Sequence, residues 1–166
     1  MFGGMDSSPP ADLAEVVERF DHVCVAVHFI AASLPLIRLM GGGFRDAGIR
    51  SDAGFRWAQF DIPGGAKLEL IEPIDPADGD NFLVRFLAHH GEGLHHVTLK
   101  VRDIDEALHL ATQVGLDVVG VDRSREHWKE AFVHPRSASG VLVQLAEWTD
   151  SGPSGRSLGE VIGVEL

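Results

Sequence analysis

The chain has 166 residues, 45% of them hydrophobic, and a formal net charge of −11. This composition suits a globular domain with a substantial core; it excludes a disordered chain and argues against nucleic acid or an anionic membrane surface as partner. Cys24 is the only cysteine, so no disulfide can form within the chain. No apolar run approaches the roughly 18 residues needed to cross a bilayer, and a cytoplasmic location is expected.

Residues 1–10 read as a flexible leader and 11–19 as a short amphipathic helix. Residues 20–28 are rich in β-branched and apolar side chains and predict a strand. The helix expected over 30–40 contains Pro35, which a helix tolerates only near its first turn or with a kink. Strands are expected over 43–49, 55–61 and 66–72, and a connecting helix over 81–89. A strand over 94–101 then leads into a helix over 103–114, where Ile104, Ala107, Leu108 and Ala111 recur at helical spacing. Asp103 and Glu106 predict a capping box at its start, and Gly115 a stop at its end. Strands over 117–122, 129–134 and 140–147 follow. The Gly- and Ser-rich segment 149–166 reads as a mobile tail in which only 161–164 is apolar enough to dock.

The order of elements is written twice. Laid so that His22 meets His96, the run Phe20-Asp-His-Val-Cys-Val-Ala-Val27 falls on Leu94-His-His-Val-Thr-Leu-Lys-Val101. With one residue of slippage, Gly65-Ala-Lys-Leu-Glu-Leu-Ile-Glu72 falls on Gly140-Val-Leu-Val-Gln-Leu-Ala-Glu147, so Glu69 meets Gln144. The expectation is an α+β fold of two βαβββ modules, residues 20–73 and 94–148, inside a domain spanning 20–148.

Side chains alternate across a strand. His22 therefore shares a face with Cys24 and Ala26, His96 with Thr98 and Lys100, Glu69 with Lys67 and Ile71, and Gln144 with Leu142 and Ala146. The opposite face of each strand is mainly aliphatic. If the two modules curl together, His22, Glu69, His96 and Gln144 meet. Two imidazoles, a carboxylate and an amide oxygen suit one divalent ion such as Zn, Co, Ni, Mn or Fe. A single anionic ligand leaves that ion net positive, as Lewis-acid chemistry on a substrate oxygen requires.

Five stretches carry a resemblance to a known family: Phe20-Asp-His-Val-Cys-Val-Ala-Val27, Leu68-Glu-Leu-Ile-Glu-Pro73, Gly91-Glu-Gly-Leu-His-His-Val97, Val101-Arg-Asp-Ile104, and His134-Pro-Arg-Ser137 with Gly140-Val-Leu-Val143. They resemble the methylmalonyl-CoA epimerases of the vicinal-oxygen-chelate (glyoxalase/bleomycin-resistance) superfamily. The resemblance implies a cupped, mostly antiparallel eight-stranded sheet around a divalent ion held at the positions of His22, Glu69, His96 and Gln144. It implies epimerisation or isomerisation of an acyl-CoA thioester through a metal-stabilised enolate, with a homodimer by family analogy. Two positions depart from the pattern: Gln144 stands where the family usually has Glu, and Trp57 where some members have a Glu thought to act as a base. Other activities on this fold are a glyoxalase-type lyase, an Fe(II) dioxygenase and a non-catalytic small-molecule-binding or resistance protein.

Glu69 is the expected catalytic residue as well as a ligand, with Asp61 and Glu130 as other candidate bases. Trp57, Gln59 and Phe132 are expected to line the substrate cavity. Arg136 and Ser137 are expected either to meet a CoA phosphate or to form an ordinary polar turn. His95 is expected to face away from the ligands, and Cys24 to be a small buried core residue.

Overall fold

The computed structural model describes residues 13–149 and 154–163; the leader over 1–10 lies outside them. The first module consists of β1 (Val17–Ala26), α2 (Ile30–Leu39), β2 (Gly43–Arg50), β3 (Phe55–Ile62) and β4 (Ala66–Pro73), preceded by α1 (Leu13–Val16). Helix α3 (Phe82–His90) connects it to β5 (Gly93–Val101), α4 (Ile104–Gln113), β6 (Val118–Arg125), β7 (Trp128–Val133) and β8 (Val143–Trp148). A short helix, α5 (Leu158–Ile162), follows. The class is α+β, and both βαβββ modules are present as expected.

The chain divides into two compact units, with β1 and β5 each running through both: Asp21–Val97 together with the segment from Asp150, and the chain up to Phe20 together with Thr98–Thr149. In the former the strands are hydrogen-bonded in the order β2-β3-β4-β1-β5; in the latter the order is β5-β8-β7-β6. β1 lies parallel to β4, with Cys24 opposite Glu69, while β2-β3, β3-β4, β6-β7 and β7-β8 are antiparallel.

Alternation sorts the core of the first unit. Val27, Ala58, Phe60 and Leu70 pack with Ile30, Leu34 and Ile37 of α2 and with Leu158 and Val161 of α5. The neighbouring residue on β4, Ile71, points the other way and packs with Cys24, Ala26, Leu83 and Leu87. Helix α3 therefore covers one end of the face opposite α2. In the second unit, Ile104, Ala107, Leu108 and Ala111 of α4 bury against Val101, Ala131, Val133 and Leu145, as their helical spacing predicts.

The duplication extends to how each helix is capped. Glu72 accepts from the Ile30 backbone N–H (2.6 Å) and from Arg56 (2.9 Å). Its counterpart Glu147 accepts from the Ile104 N–H (2.9 Å) and from Lys129 (2.7 Å). The N–H groups of a helix's first turn have no partner within the helix, so a carboxylate from the last strand of each module satisfies one and meets the positive end of the helix dipole. These conspicuous acids serve the fold.

The ends of the elements differ from expectation in places. The helix expected over 11–19 shrinks to α1, and β1 begins at Val17. The pair Val16–Val17 favours strand, and one isolated turn of helix has too little stability to extend. β8 begins at Val143 rather than 140, because residues 138–141 are spent on a turn: Gly140 adopts φ +87 and donates to the Pro135 carbonyl. Pro35 lies in the middle of α2, which continues to Leu39. The mobile tail is corrected over its described part. Ser154 hydroxyl and backbone bond Asp46, Ser157 and Glu160 form a complete capping box, and Leu158 and Val161 are buried. Leu158 and Val161, three residues apart, lie on one face of a single helical turn, enough to anchor the segment. No helix among the described residues is long and apolar enough to cross a membrane.

Candidate metal centre

His22, Glu69 and His96, all in one unit, come together. Donor atoms of His22 on β1, Glu69 on β4 and His96 on β5 all lie within 4.8 Å of one another. His22 Nε2 is 3.7 Å from Glu69 Oε1, and the two imidazole centroids are 6.1 Å apart at an interplanar angle of 66°. Donors bound to one ion at about 2.0–2.2 Å stand roughly 3–4 Å from each other. The observed cluster fits a divalent ion with only small adjustments. His22 and His96 are 2% and 6% exposed, a degree of burial at which polar side chains need a partner.

Each of these side chains is held by another. His22 Nδ1 is 2.9 Å from Asp21 Oδ2, and Asp21 Oδ1 accepts from Lys67 Nζ at 2.6 Å. Gln59 Nε2 donates to Glu69 Oε2 at 2.8 Å, leaving Oε1 toward His22. His96 Nδ1 lies 2.8 Å from His95 Nδ1, and the His95 ring packs against Phe82 and Phe86 of α3, with centroids 5.7 and 4.8 Å away.

The electrostatics follow from burial and pairing. Burial alone would lower the His22 pKa, but the Glu69 and Asp21 carboxylates outweigh it and push it up to about 9. Burial would raise Glu69, yet His22 above all, with His96 and Gln59, brings it down to about 2. Burial likewise opposes ionisation of Asp21, and the hydrogen bonds from His22 and Lys67 overcome it, holding the carboxyl well below the usual range. His95 faces little opposition to burial, which lowers it to about 4. The Cys24 thiol is pushed up by burial and by Glu69, and its side chain is fully enclosed, as expected of a core residue.

Gln144 belongs to the other unit. Its Oε1 accepts from Thr98 Oγ1 at 2.7 Å, and its Nε2 donates to Glu130 Oε2 at 2.6 Å. Glu130 also accepts from Trp128 Nε1 and Arg125, both at 3.0 Å. Phe132 pairs with Gln144 and Glu130 with Ala146, which places Glu130 on the Gln144 face of the ladder. Asp61 is exposed and bonded to Arg45.

The other expected site residues have these surroundings. Gln59, expected to line the cavity, braces the carboxylate of Glu69. Trp57 packs with the Ile71–Leu83–Leu87 cluster and lies directly over Gly48, where a Cβ would come within 2.7 Å of its indole. Phe132 stacks over the Gly120 backbone position. Arg136 pairs with Asp117 at 2.6 Å on the surface, and the Ser137 hydroxyl donates to the His134 carbonyl and accepts from the Asp117 N–H. His95 does not face away from the ligands, because its ring nitrogen meets that of His96. Asp21 and His95 are supports that strict alternation hides, since it sends the immediate neighbours of His22 and His96 to the opposite side, and Lys67 acts through Asp21 on a different strand. A signal was present nonetheless: Asp21 and His95 occupy the same place in the two copies.

The paired βαβββ modules and a cluster able to hold a metal are features of a superfamily whose members typically bind a divalent ion. The chain belongs to the glyoxalase/bleomycin resistance protein/dioxygenase superfamily, whose description matches residues 21–132. Protein YqjC of Bacillus subtilis is 30% identical over 134 residues, which are 79% of this chain and 93% of YqjC. The mitochondrial methylmalonyl-CoA epimerase of Dictyostelium discoideum is 26% identical over 134 residues, 79% of either chain. A crystal structure of methylmalonyl-CoA epimerase from Mycobacterium tuberculosis superposes with a TM-score of 0.69 at 27% identity, covering 81% of this chain and 90% of that one.

Proposed function

We propose that the chain is a divalent-metal-dependent isomerase that epimerises an acyl-CoA thioester of the methylmalonyl-CoA kind. The observation that carries this reading is the meeting of His22, Glu69 and His96 donors within 4.8 Å, in a chain similar to methylmalonyl-CoA epimerases over about four fifths of its length. Those three residues would hold the ion, which when bound supplies the positive charge that stabilises an enolate as the α-proton leaves. His22, held at about 9 in the metal-free chain, would give up a proton for its nitrogen to take the ion. Glu69 serves as a ligand and not as the proton-transfer base: a carboxyl held at about 2 has little affinity for a proton at neutral pH. Trp57 and Gln144 supply no titratable group in its place.

Purified protein is expected to contain close to one divalent ion per chain by elemental analysis, and His96→Ala to lose most of it. Incubated with methylmalonyl-CoA in D2O, the metal-loaded wild type should place deuterium at the α-carbon, with a loss of at least about 100-fold in His96→Ala. Metal-loaded protein that leaves the α-carbon unlabelled at high enzyme concentration would retire this substrate. A second reading, Fe(II)-dependent oxygen chemistry, is supported by the composition of the cluster, two histidines and one carboxylate. Rapid aerobic bleaching of an iron-loaded sample would favour it.

A further inference from the structure

We infer that Asp21 and His95 are paired positioning residues which fix the ring tautomers of His22 and His96, and that His95 does so as a neutral hydrogen-bond acceptor. The inference rests on the metal-site reading above and adds to it the residues that orient the ligands.

Each ligand imidazole has its Nδ1 occupied by the side chain of the residue immediately before it: Asp21 Oδ2 at 2.9 Å from His22, and His95 Nδ1 at 2.8 Å from His96. A neutral imidazole has one N–H and one lone pair. A carboxylate only accepts, so a proton sits on His22 Nδ1, and Nε2, 3.7 Å from Glu69 Oε1, is the nitrogen left for a metal. Between the two Nδ1 atoms of His95 and His96 there is room for a single proton. A metal on His96 Nε2 requires that proton to belong to His96, and His95 must then accept it with its own proton on Nε2. The two supports differ in charge. Asp21 is an anion already paired with Lys67; His95 is an imidazole pinned between Phe82 and Phe86.

These partners hold a ligand ring in one orientation, and the loss of such a support typically weakens metal binding about 10- to 100-fold. The test is Zn(II) affinity of the full chain, measured by competition with a chromophoric chelator, for wild type, His95→Leu, His95→Asn and Asp21→Leu. Thermal melts of the metal-free proteins check folding, and leucine at 95 can pack on the same two phenyl rings. Asn places an acceptor oxygen near the position of the His95 Nδ1. The expected result is a 10- to 100-fold loss for His95→Leu and Asp21→Leu and recovery to within about threefold of wild type for His95→Asn. Should His95→Leu fail to fold, a loss confined to Asp21→Leu with normal His95→Asn still supports the pairing. Folded Leu variants that bind as tightly as wild type would overturn this inference while leaving the metal site standing. A wild type that binds no Zn(II) would overturn both.

Discussion

Burial and charge act on single residues here with opposite results. His22 is buried and His95 half-buried, yet one is raised to about 9 and the other lowered to about 4. The difference lies in carboxylates: two act on His22, and His95 has only a more distant effect of Glu69. Stability of the metal-free chain should respond accordingly. His22, raised above its unfolded value of 6.5, contributes stability that is complete below 6.5 and lost as pH climbs toward 9. His95, lowered from the same value, contributes nothing at 6.5 and above beyond its neutral packing, and costs stability as pH falls from 6.5 to 4. Glu69 extends the acid limb, its contribution present above 4.5 and lost toward 2. Urea midpoints of the metal-free protein should therefore peak near pH 6.5 and decline on both sides, by on the order of 1 kcal/mol per pH unit where one group titrates. A midpoint that climbs steadily from pH 6 to 9 would contradict the His22 environment.

At the scale of elements, the segment after the second module shows how a short helix with a weak sequence signature becomes part of a core. Leu158 and Val161 pack with α2, β2 and β3 residues, and the capping box at Ser157 offsets part of the cost of starting so short a helix. Leu158→Ala is expected to lower unfolding free energy by about 2–4 kcal/mol, as for other buried leucines, whereas a helix riding loosely on the surface would lose under about 1 kcal/mol. Chemical denaturation separates the two. The Glu72 and Glu147 caps teach a related lesson: in a chain with an acidic excess, acids next to a proposed site need not belong to it, and their hydrogen-bond partners tell which structure they serve.

For the molecule as a whole, metal binding is expected to be a stability term. An ion that binds the folded chain and not the unfolded one stabilises it by about 2.7 kcal/mol at a free concentration 100 times Kd. The melting temperature should thus rise with Zn(II) in wild type and stay flat in Glu69→Ala, as followed by calorimetry. The two-module plan and the three clustered donors were legible in the chain because the repeat carries both the apolar frame and the polar interruptions, and strand alternation assigns faces from one residue to the next. That is why His22, Glu69 and His96 could be named from spacing, and why α4 was read from its apolar residues. Asp21, Gln59, Lys67 and His95 could not be sorted the same way. Whether a side chain beside a ligand turns toward it depends on local twist and on which neighbours, such as Phe82 and Phe86, occupy the space. Local periodicity is a property of consecutive residues and survives in the sequence; the pairing of Gln59 with Glu69, or of Ser154 with Asp46, joins residues distant along the chain and exists only once strands and helices have packed.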